Sequence, residues 1–310
     1  MWMIVASLLF AVMGVCVKKG ATVFSSAELV FWRGVVSAVV IALLAWSQGI
    51  GLRTTRFKLH ASRSLVGSFS MAAWFHALAY LPLGAAMTLN YLSSVWVALF
   101  LVGAGFMAYV AGMTGGAKEG ETRMLVGQLS LLTTVVAGFA GVVMILKPGA
   151  DPQAIVATLS GLLSGLLAAF AYLQVVALTR AGEPEMRVVF YYALATALVG
   201  GLWMLVSGIS DPSAWHWGNV VWLLLIGLSA AFGQLALTRA YGAAQSHVET
   251  LVVANLQYCG ILFAVLFGIW FFDEHVDLVG WIGIAVVVVS SVAATVIRDR
   301  MFPKAPVEDH

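Results

Sequence analysis

Arg33 stands in a stretch that is otherwise apolar, five residues after Glu28. A guanidinium there offers a planar fork of donors that matches a carboxylate. It could equally pair with Glu28 or nearby helix-end carbonyls, or snorkel its head out of the apolar layer. Other polar groups recur in apolar surroundings: Thr88, Asn90, Tyr91, Ser93, Ser94 and Trp96 in one run, Asn255, Gln257 and Tyr258 in another. Asn90 and Ser94 are four apart and share a helix face, as Asn255 and Tyr258 do three apart. Such residues are costly in hydrocarbon and usually face a cavity or another helix, where Asn and Ser can also serve as interhelical glue. Trp74, His76, Tyr172, Gln174, Tyr191, Tyr192, Trp203 and Gln234 add rings and amides, and together they predict an aromatic-lined cavity for a planar or amphipathic solute. Glu249 opens its apolar run, where it either couples proton movement by titrating or sits solvated at the interface.

Groups arranged for catalysis are missing. No His, Cys, Asp and Glu fall at metal-ligand spacing, no Gly-rich phosphate loop occurs, and no Ser-His-Asp set can be assembled. His216, His275 and His310 lie in loops or the tail, and His60 sits beside a basic loop. Cys16 and Cys259, both in apolar stretches, read as inert buried thiols rather than a disulfide framework. Neither a cofactor nor a bound metal is expected.

The elements that must position these residues follow from composition. Of 310 residues, 62% are hydrophobic and 10% charged, against about 45–50% and about 25% in soluble domains. A net charge of +2 is too small for a nucleic-acid partner. With about 20 residues per bilayer crossing, the chain holds roughly ten crossings and no separate soluble domain. The expected segments are 2–17, 29–47, 64–81, 84–108, 125–146, 155–178, 188–208, 219–238, 248–271 and 279–297, separated by Gly, Pro and charged residues. The first has neither a positive leader nor a small-residue cleavage site, so it reads as a retained helix rather than a signal peptide.

Charge sets the direction. With both termini inside, Arg53, Arg56, Lys58, Arg63, Lys118, Arg123, Arg180, Arg187, Arg239, Arg298, Arg300 and Lys304 fall on the cytoplasmic side; only Lys18, Lys19 and Lys147 fall outside. Trp215, Trp217, Trp222 and Trp281 collect at the deduced outer ends, where amphipathic rings prefer the interface. The expected location is therefore the inner membrane, multi-pass, with the bilayer as a partner.

Two internal matches suggest a repeat. Leu125-Val126-Gly127 is echoed by Leu278-Val279-Gly280, and Ala79-Tyr80 by Ala240-Tyr241. An odd number of helices per copy inserts the second copy upside down. The expected fold is all-α, ten transmembrane helices in two inverted five-helix repeats, 1–148 and 149–310, with a Gly-rich insertion over Gly103 to Arg123 in the first copy. Gly161 and Gly165, four apart, read as a packing site that lets helices approach.

Several runs, taken in order along the ten segments, carry a resemblance. They are Ala27-Glu28-Leu29-Val30-Phe31-Trp32-Arg33-Gly34, Ala79-Tyr80-Leu81-Pro82-Leu83-Gly84-Ala85-Ala86, Leu89-Asn90-Tyr91-Leu92-Ser93-Ser94-Val95-Trp96, Gln234-Leu235-Ala236-Leu237-Thr238-Arg239-Ala240-Tyr241 and Ala254-Asn255-Leu256-Gln257-Tyr258. On these the chain resembles the drug/metabolite transporter superfamily and, within it, the EamA-like ten-helix permeases. Ser94 stands where members usually have a proline, and the Gly-rich insertion replaces an acidic pair after the fourth segment. The resemblance implies a permease for amino acids, aromatic or amphipathic metabolites, nucleotide-derived cofactors or drugs.

The expected function is a secondary transporter of a small metabolite working by alternating access. An intramembrane enzyme or a non-transporting helical scaffold are the competing readings. The expected site lies near the bilayer midplane between the fourth and ninth segments. Asn90, Ser94, Asn255, Gln257 and Tyr258 would donate and accept hydrogen bonds there, with Trp74, Trp96, Tyr172 and Trp203 as walls. Arg33 would hold an anionic group, and His76, Tyr91 and Gln234 complete the set. Homo-oligomerisation stays open.

Overall fold

The computed structural model describes residues 1–97, 100, 129–130, 132–134, 136–141, 143–144, 152–275 and 277–301. The Gly-rich insertion, Val135 and the side chain of Val288 lie outside the described residues. Among those described, the chain is all helical. Its helices are α1 (Trp2–Gly20), α2 (Ser26–Ser47), α3 (Phe57–Tyr80), α4 (Leu83–Tyr91), α5 (Pro152–Arg180), α6 (Glu185–Ser207), α7 (Trp217–Gly242), α8 (His247–Leu256), α9 (Cys259–Phe272) and α10 (Leu278–Met301). Among the described residues, six stretches are long and apolar enough to cross a bilayer: Trp2–Gly20, Ser26–Ser47, Gln153–Arg180, Glu185–Ser207, Trp217–Gly242 and Glu249–Phe272.

Local chemistry sets the helix ends. Ser25 caps α2 by accepting from the Glu28 amide, while the Glu28 carboxylate accepts from the Ser25 amide at 2.8 Å, a reciprocal capping box. Glu28 also accepts from the amide and hydroxyl of Ser210, which ties the α6–α7 connection to the start of α2. Its acceptor sites are thus occupied away from Arg33. Pro82 stops α3 and precedes α4. Asp273, at φ 52°, closes α9 in the left-handed region.

Two boundaries differ from the sequence reading. α3 begins at Phe57, so Arg63 belongs to a helix and is buried rather than exposed in a loop. The ninth segment is broken at Gln257–Tyr258 into α8 and α9. There the ladder tightens: Gln257, Tyr258 and Gly260 each donate to the carbonyl three residues back. The Ser94 hydroxyl donates to the Ala254 carbonyl, taking the acceptor that a regular turn would give to the Tyr258 amide.

Packing crosses between the early and late parts of the chain. α1 lies on α7, α2 on α6 and α3 on α5, with further contacts of α2 with α7, α3 with α6, α1 with α9 and α4 with both α5 and α9. Small residues allow the closest approaches. A methyl group on Gly34 would overlap the backbone of Ala197, and one on Gly200 the backbone of Phe31, so α2 and α6 touch main chain to main chain. Gly161 and Gly165 likewise seat α5 on Leu89 of α4.

Candidate substrate site

Arg63, Gly67, Ser70, Met71 and Trp74 recur at helical spacing along one face of α3, and that face borders a cavity of about 30 Å³ in the centre of the bundle. Asn90 and Tyr91 of α4, Tyr172 of α5, Tyr192 of α6, Gln234 of α7 and Phe10 of α1 complete most of the wall. A water needs about 10–15 Å³ of such space, so the cavity of about 30 Å³ has room for a few waters and is too small for a metabolite.

Its frame is hydrogen-bonded. The Trp74 indole donates to the Ala86 carbonyl at 3.1 Å, fixing α3 against α4. Ser70 donates to the Ser164 carbonyl at 2.7 Å, and the Asn90 amide to the Ser164 hydroxyl at 3.1 Å. Tyr192 donates to the Gly67 carbonyl at 3.3 Å, and Tyr172 stacks on Tyr241 with centroids 5.3 Å apart.

Charge in this frame is one-sided. Arg63 is 2% exposed and donates from Nη2 to Gln234 Oε1 at 3.3 Å, while its Nε and Nη1 have no partner. Arg33 is 1% exposed, and its Nε and Nη1 are also unpartnered. Both guanidiniums lie over the Tyr192 ring, Arg63 at 4.0 Å and Arg33 at 5.0 Å from its centroid. Their central carbons are therefore at most about 9 Å apart, those two distances laid end to end. Like charges so placed repel by about 2 kcal/mol or more at an effective dielectric of about 20. A buried cation–π contact returns roughly 2 kcal/mol, whereas each buried ion loses several kcal/mol of hydration. Tyr192 alone leaves both cations undercompensated, and among the described residues no Asp or Glu lines the cavity.

The nominated residues separate into groups. Trp74, Asn90, Tyr91, Tyr172 and Gln234 share the cavity. Arg33 lies on the Tyr192 ring without forming the cavity wall. Ser93 and Ser94 donate to Gln257 Oε1 at 3.4 and 3.1 Å, so those groups are used in joining the broken helix to its neighbour. The Asn255 amide reaches Thr134 Oγ1 and the Ser290 carbonyl, both at 3.5 Å, and the Tyr258 ring packs at Gly138; both residues face away from the cavity. Trp96 stacks with Phe100 at 6.3 Å. His76 and Trp203 line a separate groove of about 750 Å³ with Phe69, Leu163 and Leu202, whose exposed apolar faces suit acyl chains rather than a polar solute. Glu249 accepts from the Gln245 amide at 2.8 Å at the start of α8.

Sequence reasoning left Arg63 out of the site and named Tyr192 only as one ring of the expected cavity. Arg63 follows Arg53, Arg56 and Lys58 and is easily taken for one more loop cation. Its helical spacing from Gly67, Ser70 and Trp74 was the available signal.

The ends of the bundle are built differently. At one end Lys18 pairs with Glu274, which also accepts from the Leu83 amide at 3.0 Å. At the other, Glu183 accepts from Arg187 and Thr54, each at 2.8 Å, with His60 Nε2 3.2 Å away. Burial opposes ionisation of Glu183, but these hydrogen bonds and the Arg187 charge outweigh it and hold the carboxyl below its usual range. Arg239 pairs with Glu185 at 2.8 Å on the same side.

Residues 1–105 match the model of the EamA-like transporter family. The chain is also 30% identical to the pseudopaline exporter of Pseudomonas aeruginosa over 290 residues, spanning 94% of this chain and 93% of that protein. This chain belongs to the EamA-like transporter family. Other members share its length: the riboflavin transporter of Rhizobium johnstonii is 27% identical over 97% of this chain and 91% of its own. An uncharacterized transporter of Helicobacter pylori is 26% identical over 93% and 91%. A crystal structure of another protein, 15% identical, superposes with a TM-score of 0.66 over 96% of this chain and 98% of that one, which shows a shared fold. As an EamA-like permease of the drug/metabolite transporter superfamily, the protein is a multi-pass transmembrane transporter.

Proposed function

We propose that this permease is a secondary transporter that carries a small metabolite across the inner membrane, both termini cytoplasmic, by alternating access between two inverted five-helix halves, 1–148 and 149–310. The central cavity carries the reading. Its walls come from α1, α3 and α4 of the first half and α5, α6 and α7 of the second, the place where inverted repeats bind solutes. Ion-paired contacts close both ends, as an occluded intermediate requires.

The packing supports the repeat. Exchanging the halves turns the α1–α7 contact into α3–α5, α2–α7 into α3–α6, and α1–α9 into α4–α5, while α2–α6 and α4–α9 map onto themselves. Four further crossings beyond the six apolar spans complete ten: α3, the fourth segment with α4, the fifth segment and α10. α3 has the necessary length but carries Lys58 and Arg63.

The relatives named for pseudopaline and riboflavin make metabolites of that size the first solutes to try. Purified protein is screened for metabolites that raise its melting temperature, since a bound ligand stabilises by mass action. The hits, with riboflavin included, are then followed across proteoliposome membranes. Saturable flux of a stabilising solute, absent from protein-free liposomes, is expected. Binding without flux would overturn the reading in favour of a scaffold, and chemical conversion of the solute in favour of an intramembrane enzyme.

A further inference from the structure

We propose that Arg63, reinforced by Arg33 across the Tyr192 ring, is the binding site for an oxyanion, a carboxylate or a phosphate, carried by the transported solute. The inference rests on the transporter reading and adds the class of substrate.

Among the described residues the wall of the cavity carries positive charge and no negative charge. Arg63 presents two unpartnered N–H-bearing nitrogens, Nε and Nη1, although the residue is almost wholly buried. Gln234 accepts from Arg63 through Oε1, which holds the guanidinium in the cavity wall. Carboxylates lie at the ends of the bundle, where each of Glu183, Glu185 and Glu274 already holds a cation. Glu28 is held by Ser25 and Ser210. None of them can neutralise the interior without breaking a contact that closes an end or caps a helix.

An anionic solute removes this conflict. Its oxyanion accepts from the Arg63 fork, charge-assisted and in low dielectric, and once alternating access widens the cavity Trp74, Tyr91 and Tyr172 are the apolar walls nearest the remainder. Arg33 adds a second positive charge within about 9 Å of the first, the two distances to the Tyr192 centroid laid end to end. A neutral solute would leave both cations uncompensated, and a cationic one would add to the repulsion. Gly67 fits the same design. A methyl group there would overlap Arg63 Nη1 and crowd the Tyr192 ring, so glycine keeps open the space in which the guanidinium lies on the ring.

The test uses the purified full-length chain and four probes that share a phenyl group: benzoate, phenyl phosphate, benzyl alcohol and benzylamine. Binding is read by calorimetry and by thermal shift at constant ionic strength. Benzoate or phenyl phosphate should bind at least about 10-fold tighter than the alcohol, as expected for a charge-assisted contact, and the amine should bind least. Which anion binds tighter distinguishes carboxylate from phosphate. Arg63→Gln should remove the preference for the anion, Arg63→Lys should retain part of it, and Arg33→Gln should weaken it less than Arg63→Gln does. If Arg63→Gln does not fold, Arg63→Lys with the Arg33→Gln comparison carries the same reading.

Equal binding of alcohol and anion, an unchanged preference in folded Arg63→Gln, or no binding of either anion overturns the proposal. Flux of neutral or cationic solutes with no response to Arg63 substitution would sink the anion site and leave the transporter standing. Anion binding that depends on Arg63, without flux of any bound solute, would do the reverse.

Discussion

The interior and the ends of this bundle treat positive charge in opposite ways. At the ends, Lys18, Arg187 and Arg239 each meet a carboxylate, and Arg187 also donates to the Gly51 carbonyl at 2.7 Å. In the interior, Arg33 and Arg63 meet one tyrosine ring and, for Arg63, one neutral amide. The end pairs neutralise each cation with its own carboxylate. The buried pair is charge that the fold alone does not neutralise, the usual mark of a binding site rather than of a structural contact. The two sets of cations are thus held by different chemistry.

The largest effect expected from this contrast is one of sign. Glu183→Ala strands His60, Thr54 and Arg187 and should lower stability by about 3 kcal/mol, the low end for breaking a buried ion pair because Arg187 is partly exposed. Arg63→Met removes an uncompensated charge and should leave the melting temperature in detergent unchanged or raised. If both variants lose stability equally, the comparison fails.

Glycine substitutions sharpen it. Gly34→Ala drives a methyl group into the Ala197 backbone, which cannot yield, and should cost about 1–3 kcal/mol by overpacking. Gly67→Ala meets the mobile end of Arg63, so stability should fall by less than about 1 kcal/mol while anion affinity drops. Denaturation midpoints and binding isotherms on the two variants separate a packing role from a site role.

Asn255→Ala should lower stability by about 1 kcal/mol, the worth of an ordinary hydrogen bond, and leave solute affinity unaltered, since its amide faces Thr134 and Ser290. A loss of affinity with no loss of stability would move the site toward α8 and α9.

Acid acts on the ends. The folded-state pKa of Glu183 lies below its unfolded value, so its contribution is complete above about pH 4.3, the ordinary glutamate value. It fades as pH falls through the lower folded value. The melting temperature of the wild type should therefore drop more steeply below that pH than that of Glu183→Gln. The smallest perturbation is Ser213→Cys in the exposed α6–α7 connection. It should be labelled from outside intact cells with no change in stability, and labelling only after permeabilisation would invert the orientation.

The fold class was legible from composition, because a chain this apolar can bury its helices only in lipid and against one another. The break at Pro82 was legible, because proline ends a helix through its own neighbours, and Gly161 and Gly165 were legible as a packing site from their spacing, whereas the capping box at Ser25 and Glu28 was not read. Trp74, Asn90, Tyr91, Tyr172 and Gln234 could be nominated as polar or aromatic residues in apolar runs. What the sequence could not decide was which way each would turn. Asn255 and Gln257 are two residues apart in one apolar run, yet a break at Gln257–Tyr258 sends the first toward Ser290 and the second toward Ser94. That break depends on the Ser94 hydroxyl reaching the Ala254 carbonyl from a helix 160 residues away. Arg63 follows a run of loop cations, and its burial depends on α3 starting at Phe57 and on Tyr192 of α6 receiving its guanidinium. Local sequence sets where helices begin, end and carry polar groups; the meeting of charge, ring and cavity is a contact between distant segments, and only tertiary packing decides it.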